Sequence, residues 1–95
     1  MNTVYTAVSC GELVGVTSAT QLPDVPCRRV LFRAAAGTVY LGGPGVTVSD
    51  GSTDATSGLK VVAADPPVEV LIDNLNKLYR ICASTSDHLT YLVTR

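Results

Sequence analysis

The chain has 95 residues, 46% of them hydrophobic and 16% charged, which is enough for one domain around one core and too little for two. Seven Lys and Arg against eight Asp and Glu give a formal charge of −1, which excludes bulk attraction to DNA or to an anionic membrane. No apolar run approaches the roughly 20 residues a membrane helix needs, and three scattered cysteines spell out no disulfide framework.

In chain order, Val4 to Val8 reads as a first strand, with Val4, Thr6 and Val8 on one face. Gly11 is expected to interrupt it, and Leu13 to Thr17 to resume. Ser18 to Pro26 reads as a loop, because Pro23 and Pro26 each remove a ladder donor. Arg28 to Ala34 is a strand whose successive Val30, Leu31 and Phe32 suit cover on both faces, or an outer face that meets a partner. In that strand Arg29 and Arg33 share a face. Ala34 to Gly37 is a small-residue turn. Thr38 to Leu41 is a strand, Gly42-Gly43-Pro44-Gly45 a tight corner, Val46 to Val48 a further strand, and Asp50-Gly51 its closing turn.

Ser49 to Gly58 is polar and small, and is read as a mobile loop. Leu59 to Ala63 is a strand, and Pro66-Pro67 prevents a central strand or helix from following at once. Val68 to Ile72 alternates as a strand, against a competing helical spacing of Leu71, Leu75, Leu78 and Cys82. The expectation is a strand, a turn with one helical turn at 74–77, and a strand from Leu78 to Ala83. There Leu78, Arg80 and Cys82 face one way, and Tyr79, Ile81 and Ala83 the other. Ser84 to Asp87 turns the chain into a last strand, His88 to Thr94, with Leu89, Tyr91 and Val93 on one face; the last two strands are expected to form a hairpin. The total is seven or eight short antiparallel strands and at most one helical turn: an all-β sandwich or barrel over residues 1–95.

Catalytic and ligand chemistry finds little support in the residues. His88 is the only histidine, and Ser84, Ser86 and Asp87 lie in the same short turn rather than on separated elements that would fix a triad. Cys10, Cys27, Cys82 and His88 are spaced 17, 55 and 6 residues apart, without the tight knuckle of a zinc site. Asp50, Ser52 and Asp54 alternate as in a calcium loop, but no closing Glu follows. Gly42, Gly43 and Gly45 precede a strand, with no Lys after them, so they serve a corner and not a phosphate. Phe32 and the four tyrosines are not interleaved with basic residues, as single-strand nucleic-acid binding would require. The reading is therefore no enzyme, no cofactor, no metal, no nucleic acid and no membrane. No basic region followed by an apolar one opens the chain, so no leader is expected, and free thiols fit synthesis in a reducing cytosol. The charge share is below the usual quarter, which fits either a surface hidden against partners or a merely sticky small domain.

The run VYLGGPGVTVSDG, Val39 to Gly51, resembles a pattern of small structural proteins of tailed bacteriophages, as does Asp73 to Tyr79 followed by Arg80-Ile81-Cys82-Ala83 and the terminal strand Leu89 to Val93. The resemblance covers roughly residues 27–95. It departs from the family pattern in the Ser52 to Ser57 loop. It implies a virion protein made in the host cytoplasm: a capsid decoration (cement) protein on the head surface, bound to the major capsid protein as a homo-oligomer, with a trimer favoured and a dimer possible. The alternative it implies is a head-fibre or tail component that binds a receptor or glycan through Ser49 to Gly58. Candidate interface anchors are the aromatic residues Tyr5, Phe32, Tyr40 and Tyr91.

Overall fold

A computed structural model describes residues 8–49 and 55–95. The protein is all-β, with eight strands among the described residues, in two four-stranded antiparallel sheets. The strands are β1 (Val8–Val14), β2 (Thr20–Gln21), β3 (Arg29–Ala36), β4 (Thr38–Gly42), β5 (Leu59–Val62), β6 (Val68–Val70), β7 (Tyr79–Cys82) and β8 (His88–Thr94). One sheet runs β1-β8-β3-β6 and the other β2-β7-β4-β5. Only the β4–β5 connection stays within one sheet; each of the others passes across the sandwich.

The period-2 pattern of the sequence decides which side of each strand is buried. Val30, Phe32 and Ala34 of β3 and Leu89 and Val93 of β8 point inward from the first sheet. Val39 and Leu41 of β4, Val61 of β5 and Cys82 of β7 meet them from the second, with Leu22, Cys27 and Leu75 closing the core. Leu75 lies in the expected helical turn, a 3-10 turn over Leu75–Lys77. Asn74 caps it: its Oδ1 accepts from the Asn76 N–H at 2.9 Å and the Val25 N–H at 3.2 Å, and its Nδ2 donates to Asp24 Oδ1 at 2.7 Å.

Several expectations are corrected. Gly11 does not interrupt the first strand: β1 pairs with β8 residue for residue from Val8↔Thr94 to Val14↔His88. The glycine is accommodated because the Tyr91 ring directly opposite fills its side-chain space; a Cβ on Gly11 would lie 2.6 Å from Tyr91 Oη. The expected Val4 to Val8 strand lies outside the described residues except at Val8. The loop at 18–26 contains the two-residue strand β2, and Pro26 forms a bridge with Asn74. Ala34 to Gly37 is mostly strand, with an irregularity between Ala34 and Ala36, and the turn itself falls on Gly37 at φ +66. The chain changes sheets there, and a Cβ would collide with the Asp87 carboxylate.

β7 and β8 form no hairpin. β7 pairs with β2 and β4, whereas β8 lies between β1 and β3. A connection of five residues reaches across a sandwich about 10 Å thick as readily as it closes a hairpin. Here Gly15 packs against the backbone of Ser84 and Asp87, and the Cys82 N–H donates to Val16 O at 2.7 Å, so the loop is held against the end of β1.

Val46 to Val48 is not a strand but a single parallel bridge, Thr47↔Ser57. The Gly43–Val46 turn is closed by the Val46 N–H donating to Gly43 O at 3.1 Å, with Gly45 at φ +78 in the position that a Pro-Gly turn of type II requires. It folds Val46 back between Gly42 and Gly58, where a Cβ on either glycine would come within 2.8 Å of Val46 Cγ2. Gly58 also lies against Tyr40, so the strand buried on both faces is β4 and not β3. Ser49 Oγ donates to Gly58 O at 2.6 Å, which ties the two ends of the polar loop together. Residues 50–54 of that loop lie outside the described residues.

Candidate functional site: the outer face of the β1-β8-β3-β6 sheet

The antiparallel register arranges the outward side chains of this sheet in rows. Cys10, Leu92, Leu31 and Glu69 form one row across all four strands. Val8, Thr94 and Arg29 lie on one side of it, and Glu12, Thr90 and Arg33 on the other. Val14 and His88 form the last pair. A sheet face left to water normally carries polar residues at such positions. Here three of the five exposed large hydrophobic residues among the described residues, Val8, Val14 and Leu92, lie on it, and Leu31 is half-buried beside Leu92.

Leu31, Arg33, Thr90, Leu92 and Pro67 surround a shallow depression of about 210 Å³. A second, of about 70 Å³, continues it along Arg29, Leu31, Leu92 and Thr94. The polar groups around the leucines are already engaged within the chain. Arg29 is paired with Glu69, its Nε donating to Glu69 Oε2 at 2.7 Å. Arg33 Nη2 donates to Ala63 O at 3.2 Å. Thr90 Oγ1 donates to Arg33 O at 2.8 Å, and Thr94 Oγ1 to Arg29 O at 3.4 Å. His88 Nδ1 lies 3.6 Å from Glu12 Oε2. The face therefore offers apolar surface with Arg29, Arg33, Thr90 and Thr94 around it engaged within the chain.

The aromatic anchors expected from the sequence do not form this face. Phe32 is 0% exposed and is core packing, as its place on the inner side of β3 requires, and Tyr40 is 8% exposed beneath Val46 and Gly58. Tyr91 points inward over Gly11, and Tyr5 lies outside the described residues. Gly42 ends β4, and Gly43, Pro44 and Gly45 form the turn that follows it. The exposed aliphatic residues of this face that the sequence reading did not single out are Leu92, Val8 and Val14, beside the half-buried Leu31. The signal for them was present: each is an aliphatic residue at a position whose alternating neighbours along the strand include charged or hydroxyl side chains.

Elsewhere, His88 is not joined to Ser84 or Ser86 by any hydrogen bond among the described residues; Ser84 Oγ bonds Ser86 Oγ at 2.9 Å, and His88 faces Glu12. Cys10 is exposed on the outer face, while Cys27 and Cys82 are buried in the core, and all three are free thiols. Burial, with a smaller contribution from Asp73, pushes the Cys27 thiol up, and burial likewise pushes up Cys82. No cluster of three or more His, Cys, Asp or Glu able to hold a metal ion occurs among the described residues. Asp50, Ser52 and Asp54 fall outside those residues. No helix among the described residues is long and apolar enough to cross a membrane.

Compared with known proteins, the chain matches no protein-family model, no curated protein and no solved structure.

Proposed function

We propose that this chain is a structural virion protein, a decoration protein that sits on the outside of a phage head and braces the shell as an oligomer. The observation that supports this reading best is the apolar row Cys10–Leu92–Leu31 on the outer face of a small all-β sandwich. A sheet face of this kind binds by shape and apolar burial, with Arg29 already paired to Glu69 at its rim. That is the behaviour expected of a protein whose task is to hold neighbouring subunits together and to do no chemistry. The resemblance of Val39 to Gly51 to small phage structural proteins names the surface it would meet, the major capsid protein.

Cosedimentation with expanded heads built from the cognate major capsid protein tests the reading. The wild-type chain is expected to pellet with the heads and to raise their resistance to heat. Leu31→Asp and Leu92→Asp place charge on the outer face without touching the inner core, and are expected to abolish pelleting while the sandwich stays folded. Absence of binding by the wild-type chain, or full binding by both variants, overturns the proposal.

A further inference from the structure

We propose that two copies of this chain associate through β1, pairing antiparallel about a two-fold axis at Gly11 so that the two four-stranded sheets become one eight-stranded sheet. A sheet edge presents backbone N–H and C=O groups that can template another strand, and natural proteins guard such edges with short strands, Pro, charged side chains (Lys above all) or bulges. Three edges here are guarded. β2 has two residues, β6 has three and follows Pro66-Pro67, and β5 has four and carries Lys60. β1 carries a single charge, Glu12, and none of the other devices. It is seven residues long, contains no Pro or Lys, runs without a bulge along β8, and has no strand on its other side among the described residues.

The residues of β1 specify a second copy of themselves. With Gly11 opposite Gly11, Val8 of each copy faces Val14 of the other, and Cys10 faces Glu12. Val8 and Val14 are 66% and 63% exposed in the single chain, and the pairing gives each an aliphatic neighbour. A register centred on Glu12 would set two carboxylates face to face, and one centred on Cys10 would leave Val14 without its partner valine. A three-fold ring would need β1 to pair with a different edge, and the other edges offer at most four residues. The pairing holds whether or not the chain docks on a shell, since it uses the edge of the sheet and the shell contact uses its face.

Sedimentation over a concentration series, with hydrogen exchange of the β1 amides, tests the pairing. The wild-type chain is expected to reach twice the mass of one chain as concentration rises, with exchange at β1 slowing in parallel. Val8→Lys with Val14→Lys sets like charges opposite each other at both ends and is expected to weaken association on the order of tenfold or more. Val8→Lys with Val14→Glu sets opposite charges across the axis and is expected to restore it. Within one copy these two positions are about 20 Å apart and cannot compensate each other. A wild-type chain that stays monomeric, β1 amides that slow only when shells are added, or a dimer indifferent to both double variants overturns the proposal. Were a variant to unfold, the wild-type exchange pattern alone decides.

Discussion

Tyr91 stands directly across the ladder from Gly11, and its ring fills the space that a side chain at position 11 would use. Strand preference alone would favour any larger residue there. The structure predicts the opposite. Gly11→Ala is expected to destabilise the fold by about 1 kcal/mol, because the Tyr91 ring must move or the ladder must open. Tyr91→Leu removes the obstruction, so the double variant is expected to lose less than the sum of the single ones. Urea unfolding of all four proteins gives the coupling; strict additivity would mean that the ring does not occupy this space in solution.

Asn74 ties the 3-10 turn to the segment at Asp24 and Val25. It caps the 3-10 turn, accepts from Val25 and donates to Asp24, next to the Pro26 bridge. Asn74→Ala leaves two backbone donors without their acceptor and is expected to cost about 1–3 kcal/mol. Asn74→Asp keeps the acceptor but sets its charge beside Asp24, so it is expected to recover only part of the loss, and more at low pH. Denaturation midpoints of the two variants at neutral and mildly acid pH check this.

The two buried thiols make stability fall in alkali. Their folded-state pKa values lie above those of the unfolded chain, so the folded state holds the protons more tightly. The contribution is fully present below the thiol pKa of the unfolded chain, about 8.5, and is lost as pH rises through the folded values. Cys27→Ala and Cys82→Ala are each expected to flatten this alkaline decline, at the cost of some core packing. At neutral pH a thiol reagent is expected to modify Cys10 in the folded protein and all three cysteines in denaturant. Rapid labelling of Cys82 under native conditions would contradict its burial.

Arg80 places a guanidinium inside the sandwich. It is 7% exposed, its Nη2 donates to Val14 O at 3.4 Å, and its buried Nε has no partner. Burial pulls its pKa down. A charge held this way contributes little net stability, and an apolar side chain of similar length often serves as well. Arg80→Met is therefore expected to melt at or above the wild-type temperature, whereas Arg80→Ala leaves a cavity and melts lower. A large loss in the Met variant would show that the guanidinium is better paired than its distances indicate.

The strands were legible where alternation was strict. His88 to Thr94 and Arg80 to Cys82 bury the sides that their period of two assigns, and Asp73-Asn74 set the helical turn where it occurs. Strand pairing was less legible, because a short polar loop carries no mark of the sheet it leads to. The loop after Cys82 therefore read as a hairpin, and the glycine in β1 as a break, since its compensating Tyr91 is 80 residues away. The apolar outer face was obscured for a related reason. Aromatic residues are the usual anchors of a contact, but in a core this small the sandwich uses Phe32, Tyr40 and Tyr91 to fill its own interior or to cover a glycine. The outer face was left to Leu31 and Leu92, which meet only through register.

One consequence of the register concerns synthesis. β1 finds its partner in the last strand, Val8 against Thr94, and β3 needs that same strand on its other side. Until residue 94 has left the ribosome, neither β1 nor the outward side of β3 has a neighbour, and the emerging chain carries unpaired strands. Folding is then expected to wait for residues 88–94 and to proceed in one slow, cooperative step governed by the closure of long loops. A chain truncated before His88 is accordingly expected to be recovered as aggregate and not as a partly folded domain.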